Sequence, residues 1–127
     1  MSVVKDDHIL LGRSPHFEKE MYSTLAGFVE AGETLEEAVC REVHEETNIV
    51  IEHVNYVTIQ PWPFPHSVMI GYSAQYKDGE LKIDTKELED AGWFHYNDLP
   101  KLPSKITIAR LLIDNFITEA KEKYDDR

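Results

Sequence analysis

Two glutamates stand where helical spacing calls for apolar side chains, with a third at the edge of that face, and that conflict constrains this chain more than any other feature. The stretch is Gly27-Phe-Val-Glu-Ala-Gly-Glu33, a run from Thr34 to Cys40, then Arg41-Glu-Val-His-Glu-Glu46-Thr-Asn-Ile49. Thr34 reads as an N-cap with Glu37 three residues on, and helical spacing continues to about Thr47. At roughly 100° per residue, Leu35, Ala38, Val39 and Val43 share an apolar side. Glu36, Glu37, Cys40, His44 and Thr47 take the wet side. Glu42 and Glu46 fall inside the apolar arc, with Glu45 at its edge.

Carboxylates one turn apart repel, and on an inward face each also loses solvation. Glutamate-rich helices usually present a solvated acidic face, but these acids lie on the wrong side for that. The alternative is a divalent cation between them. Hard oxygen ligands at one-turn spacing suit Mg²⁺ or Mn²⁺, whose charge would convert the repulsion into attraction. Arg41 precedes Glu45 by four residues and is placed to hold it. Gly27 and Gly32 allow the preceding loop to turn sharply and to approach a metal or phosphate closely.

Gly27, Glu33, Arg41, Glu42, Val43, Glu45, Glu46 and Ile49 resemble the Nudix box in type and spacing. That pattern runs Gly, five residues, Glu, seven residues, Arg-Glu-aliphatic-any-Glu-Glu-any-Gly-aliphatic. Asn48 departs from it, standing where the family has Gly. Asn is the next most tolerant residue of a left-handed backbone, so the helix can still be capped there.

Charge and cysteine content narrow the alternatives. A formal net charge of −11 disfavours a nucleic-acid backbone or an anionic membrane as main partner, so long nucleic acid is not expected. An anionic substrate must then be met by metal and local donors. The lone Cys40 excludes an internal disulfide and a multi-cysteine zinc site, so no zinc is expected. None of the six histidines forms a two-histidine helical pair, which leaves a histidine metal site or a Ser-His-Asp hydrolase without support. No apolar run reaches membrane-spanning length and no signal peptide is visible, so the expected location is the cytoplasm. The 127 residues read as a single domain, 1–127, with no internal repeat or linker.

Val3-Val4 and His8–Leu11 read as a hairpin turned at Lys5-Asp6-Asp7, and Gly12 to Glu20 as a polar loop. Met21 to Ala26 is expected to be a strand leading into the glycine loop. Val50 to Gln60 reads as another, Ser67 to Lys77 as the next, with Lys77-Asp78-Gly79 turning into a strand at Leu81-Lys-Ile83. Asp84 to Asp90 reads as an acidic loop or short helical turn, and Trp93 to Tyr96 as a short buried strand. From about Lys105 to Lys123, Ala109, Leu112, Ile113, Phe116 and Ala120 recur at helical spacing, and Tyr124 to Arg127 reads as a frayed tail.

Three prolines at alternate positions in Gln60-Pro61-Trp62-Pro63-Phe64-Pro65-His66-Ser67 forbid a helix, leaving a stiff extended or turn-rich segment at a sheet edge. Its aromatics can plug the core, form a pre-set wall for a flat ligand group, or serve as a polyproline ligand for another domain. Within the Nudix family this segment resembles the signature of the NADH pyrophosphatase subgroup, with Ile59 where that signature begins with Ser. The likeness continues through Asp84-Thr-Lys-Glu87-Leu, Trp93, Asp98-Leu-Pro100 and Ile108-Ala109-Arg110, covering nearly the whole chain.

The resemblance implies an α/β fold, a mixed β-sheet sandwiched between α-helices, and hydrolysis of the diphosphate bond of NADH- or NAD⁺-type dinucleotides to AMP and (reduced) nicotinamide mononucleotide. Two or three Mg²⁺ or Mn²⁺ ions are implied, with Glu42 and Glu46 as central ligands and Glu45 as a ligand or proton acceptor. Glu87, on residue type alone a solvated charge, becomes an outlying metal ligand, and Ala26 contributes its backbone carbonyl. Arg41 orients Glu45, and Glu33 fixes the loop. Phe28 is implied as a stacking partner for adenine; Gln60, Pro61, Trp62, Pro63, Phe64, Pro65, His66, Ser67 and Ala109 as the lining of a dinucleotide pocket shared across a homodimer. Bacterial members of the subgroup usually carry an N-terminal domain and a four-cysteine zinc ribbon ahead of the Nudix domain, and neither is expected within these 127 residues. The nearest rival is an ADP-ribose or diadenosine polyphosphate pyrophosphatase; removal of NAD caps from RNA follows only by analogy. A non-catalytic nucleotide sensor is the rival of a different class, against which the retained Glu42, Glu45 and Glu46 speak.

Overall fold

The computed structural model describes residues 1–62 and 67–125, with Trp62 and Ser67 described by backbone alone. Five strands, β1 (Ser2–Lys5), β2 (His8–Arg13), β3 (Val50–Trp62), β4 (Ser67–Asp78) and β5 (Asp90–His95), form one sheet in the order β3-β4-β1-β2-β5. β1 pairs with β4 in parallel and every other neighbour is antiparallel, so the sheet is mixed. Helices α1 (Leu35–Thr47) and α2 (Ile108–Tyr124) cover its two faces.

Alternation along the central strands divides the core in two. Val3 and Leu10 point toward α1, joining Val39, Val43, Ile49, Tyr72 and Leu88. Val4, Ile9 and Leu11 point the other way, toward Ile113, Phe116 and Ala120 of α2. This is the α/β/α arrangement expected of the sequence. Among the described residues no helix is long and apolar enough to cross a membrane.

Both helices begin where a hydroxyl can satisfy free N–H groups. Thr34 Oγ1 accepts from Glu37 N at 3.1 Å while Glu37 Oε1 accepts from Thr34 N at 3.2 Å, completing a capping box. Asn48 ends α1 in the left-handed conformation, φ 66° and ψ 9°. α2 starts three residues later than its apolar periodicity suggests, because Thr107 Oγ1 accepts from Arg110 N at 3.2 Å and sets the cap there.

Several expectations fail for non-local reasons. Met21 to Ala26 is not a strand: Ser23 bridges Gly12 while Met21 bridges Lys101, so the segment divides its hydrogen bonds between two partners. Leu81 to Ile83 is not a strand either. Lys82 N donates to Thr47 O and Asp84 N to Glu46 O, both at 2.9 Å, satisfying carbonyls at the end of α1 instead of building a ladder. Thr47, placed on the wet side by periodicity, is fully buried beside that segment and donates to Val43 O at 2.6 Å. Tyr124 and Asp125 are not frayed: α2 runs through Tyr124, and Asp125 accepts a hydrogen bond from the Tyr96 hydroxyl. β5 begins three residues earlier than expected and is half-buried rather than buried, since it lies at the sheet edge.

Candidate active site

α1 carries its acids into three different environments. Glu45 is exposed, with a carboxylate oxygen 3.1 Å from Arg41 Nη1. Glu42 is mostly covered, with Oε1 accepting from Arg41 Nη1 at 2.8 Å. Its side chain fills the space above Gly27, where an added Cβ would lie 2.6 Å from Glu42 Cγ. Glu46 is only 6% exposed.

The Glu46 carboxylate carries the strongest chemical signal in the molecule. Its Oε2 is buried and, among the described residues, has no hydrogen-bond partner. Burial, followed by the neighbouring Glu42 and Glu87 charges, pushes its pKa up to about 7. A buried carboxylate oxygen without a donor, where the Glu42, Glu87 and Asp84 charges oppose the Met1 amine and the pKa still rises, is an arrangement that a divalent cation would relieve. Among the described residues, no set of three or more His, Cys, Asp or Glu side chains stands already gathered as a metal cage. On the helix side, Arg41 holds both Glu42 and Glu45 in ion pairs. The donorless Glu46 oxygen, raised in pKa by the Glu42 charge, fits a hard cation by chemistry.

Glu87 is exposed but is delivered toward Glu46 by backbone bonds. Asp84 N donates to Glu46 O at 2.9 Å, tying the acidic turn to α1. Asp84 O then accepts from Glu87 N and Leu88 N, both at 3.0 Å, and Asp84 Oδ1 accepts from Lys86 N at 3.0 Å. Reading the sequence gives Asp84 no role of its own. The signal that could have found it is an Asp two positions before the N–H it accepts from, a local turn pattern.

Arg41 does more than its four-residue spacing to Glu45 indicates. Nε and Nη2 donate to the two oxygens of Glu33 at 2.6 and 2.9 Å, a bidentate pair that holds the Glu33 carboxyl down at about 2. Nη2 also donates to Phe28 O at 2.9 Å, and Glu33 Oε1 accepts from Glu30 N at 2.9 Å. The glycine loop is thus bound to the middle of α1 through one guanidinium. Gly32, at φ 83°, supplies the left-handed turn within it.

Between α1, β4 and the start of α2 lies a cavity of about 480 Å³. Ala26, Phe28, Glu42, Gln60 and Ala109 all line it, whereas Arg41, Glu45, Glu46 and Glu87 do not. Phe28 is 87% exposed at its mouth. Gln60 also braces the fold. Its amide donates to Ile106 O at 2.8 Å and accepts from Ile108 N at 3.0 Å, clamping the first turn of α2 to β3. Pro61 pairs with Val68 and the Trp62 backbone with that of Ser67 along the edge strand. Pro63, Phe64, Pro65 and His66 lie outside the described residues.

A family model described as NUDIX domain matches residues 1–116. The protein named NAD-capped RNA hydrolase NudC of Photorhabdus laumondii is 53% identical over 117 residues, which is 92% of this chain and 46% of that protein. The one of the same name from Escherichia coli O157:H7 is 46% identical over 125 residues, 98% of this chain and 49% of that protein. The chain thus spans about half the length of the curated relatives it matches. A MutT NUDIX hydrolase from Burkholderia pseudomallei superposes with a TM-score of 0.69 at 27% identity, covering 89% of this chain and 91% of that one. The NUDIX domain of Shewanella oneidensis NrtR, solved with ADP ribose, gives 0.71 at 18% identity over 96% and 83%, a likeness of fold alone. A carboxylate helix behind a glycine loop, on a mixed sheet between two helices, and a family match over most of the length together show that the chain belongs to the Nudix family.

Proposed function

We propose that this domain, 1–127, is a divalent-metal-dependent pyrophosphohydrolase that cleaves the diphosphate bond of NADH- or NAD⁺-type dinucleotides. The products are AMP and (reduced) nicotinamide mononucleotide. The observation that carries the reading is the buried, partnerless Glu46 Oε2, close to Glu42 and in range of the Glu87 charge. The wall of the adjoining cavity, which includes Glu42, is the natural place for a dinucleotide.

Glu42, Glu46 and Glu87, with the Ala26 carbonyl, would hold Mg²⁺ or Mn²⁺. Such ions, when bound, neutralise the diphosphate and lower the pKa of the attacking water. The chain's own groups orient and confine. Water oxygen adds to one phosphorus, the bridging P–O bond breaks, and the water proton leaves toward a carboxylate. Glu45, solvent-facing and steadied by Arg41, serves as ligand or proton acceptor. Arg41 keeps Glu42 aimed and, through Glu33 and Phe28 O, keeps the glycine loop in place. Phe28 offers an exposed ring to adenine at the cavity mouth, and Gln60 and Ala109 line the cavity wall. Phe28, Ile59, Val68 and Ile106 are exposed apolar side chains, which suits a homodimer sharing the pocket. Light scattering at micromolar concentration tests that arrangement.

A second reading takes support from the relatives' names: the same dinucleotide at the 5′ end of an RNA. The net charge of −11 opposes long RNA as a partner. The test is a substrate panel with Mg²⁺ and Mn²⁺: NADH, NAD⁺, ADP-ribose, a diadenosine polyphosphate and a short NAD-capped oligonucleotide. The highest kcat/KM on NADH or NAD⁺ supports the proposal, and on the capped oligonucleotide the second reading. ADP-ribose or the diadenosine compound in the lead overturns both, as does tight binding without turnover.

A further inference from the structure

We propose that Arg13 is a positioning residue for Glu87, acting by pinning the acidic 84–89 segment to the loop 14–21 that leads into the cavity wall. The inference rests on the reading of Glu42, Glu46 and Glu87 as the cation site.

Arg13 is the last residue of β2, and its side chain is 15% exposed. It grips Glu89 twice: Arg13 O accepts from Glu89 N at 2.7 Å, and Nε donates to Glu89 Oε2 at 2.7 Å. The rest of the guanidinium faces the opposite segment. Nη1 donates to Glu18 O and, at 3.1 Å, to Met21 O, while Nη2 donates to Phe17 O at 3.3 Å. That loop forms no strand, so these donors replace a ladder. Glu20 in it adopts φ 68°, a backbone state that a non-glycine residue keeps only when its surroundings impose it. Met21, at the loop's end, lines the cavity. A parallel link joins the Tyr22 hydroxyl to Asp90.

Glu87 therefore sits in a segment fastened at both ends. Asp84 is held by the Glu46 carbonyl, and Glu89 is held by Arg13. Leu88, buried between them, leans on Gly12, where an added Cβ would lie 3.1 Å from Leu88 Cδ2. With only two residues between Asp84 and Glu87, and one between Glu87 and Glu89, the Glu87 backbone has little freedom. Removing the guanidinium would leave the Glu89 end held by the backbone bond to Arg13 O alone, with its side-chain tie and the link to the 14–21 loop gone. A lysine cannot replace this fork, because one ammonium cannot span Glu89 and carbonyls on the other segment at once.

The test measures Mn²⁺ affinity by electron paramagnetic resonance of free Mn²⁺, with kcat and KM in parallel, on Arg13→Gln, Arg13→Lys, Glu87→Gln and the Arg13→Gln/Glu87→Gln double variant. Arg13→Gln is expected to weaken Mn²⁺ by about tenfold, the scale of losing a residue that orients a ligand, and Arg13→Lys to restore little of it. In the double variant the Arg13 change should add nothing to the Glu87 change, since the group it positions is gone. Wild-type Mn²⁺ affinity in folded Arg13→Gln, or fully additive effects in the double variant, overturns the inference while the cation-site reading stands. Glu87→Gln binding Mn²⁺ as tightly as wild type overturns both. If Arg13→Gln does not fold, Glu89→Ala supplies the same comparison at the exposed end of the pair: a several-fold loss supports the inference and no loss overturns it.

Discussion

Gly27 stands directly over the carboxyl group of Glu42, and the two positions are coupled by space rather than by backbone geometry. A Cβ on Gly27 would lie 2.6 Å from Glu42 Cγ, nearer than real Cβ contacts come. Gly27 is not among the positive-φ residues, whereas Gly32 is, at 83°, with open space around it. Two glycines of one loop are needed for different reasons.

Gly27→Ala is therefore expected to displace the Glu42 carboxylate, with a loss of about tenfold or more in kcat/KM and an overpacking cost of roughly 1–3 kcal/mol. Gly32→Ala meets no atom and should cost about 1 kcal/mol through its left-handed backbone, with activity largely kept. Urea melts and steady-state kinetics on the pair decide. Equal kinetic losses in both variants would show that loop conformation, not the Glu42 contact, is what matters.

Glu46→Gln removes the charge but not the shape. The variant should stay folded and lose roughly two or more orders of magnitude in turnover, as when one strong electrostatic stabiliser is lost. Near-normal rates would take Glu46 out of the mechanism.

The same residue predicts a pH dependence. The Glu46 pKa is raised from its ordinary 4.5 to about 7, so between those values the folded state binds more protons than the unfolded state. The Glu46 contribution to stability in chelator should then fall as pH rises through that window and level off above it, by roughly 1–3 kcal/mol after allowance for partial solvation, against the opposite slope of the buried Met1 amine, whose pKa is lowered to about 5. Urea melts across the window, wild type against Glu46→Gln, isolate the contribution from that of other acids. Mg²⁺ should abolish it by favouring the ionised carboxylate. An identical slope in the variant would assign the effect elsewhere.

Gln60→Ala opens the clamp between β3 and α2. Loss of the bonds to Ile106 O and from Ile108 N should cost about 1–2 kcal/mol and raise KM, since Ala109 and Ile108 line the cavity. An unchanged melting temperature with a raised KM would instead make Gln60 a direct substrate contact.

Asn48 occupies a left-handed position where the family pattern has glycine, and its Nδ2 donates to Glu80 O at 3.0 Å. Asn48→Gly should be neutral within roughly 0.5 kcal/mol, the relieved backbone offsetting the lost bond, while Asn48→Val should cost about 1–2 kcal/mol. A strongly destabilised glycine variant would show that the side-chain bond, not the conformation, holds the helix end.

The local features were legible in the residues. The Thr34–Glu37 capping box, the Asn48 C-cap, the first hairpin and the inward placement of Glu42 and Glu46 each depend on spacing within one or two turns. Thr47 misled for an equally physical reason. Helical periodicity assigns a face, but the 79–84 segment that covers that face comes from more than thirty residues along the chain. Leu81–Ile83 has strand-like composition, yet its donors meet open helix carbonyls before any ladder.

Sequence alone determined the family, the carboxylate helix and its two caps, because caps, periodicity and glycine positions act through bonds and steric limits within a few residues. Only the tertiary structure decided that Arg41 spans Glu33, Glu42 and Glu45 together, that Gln60 grips α2, and that Arg13 joins two loops. A guanidinium or an amide has several donors and acceptors and many possible partners in the sequence. Which of them it meets is fixed only when the sheet brings distant backbone within about 3 Å.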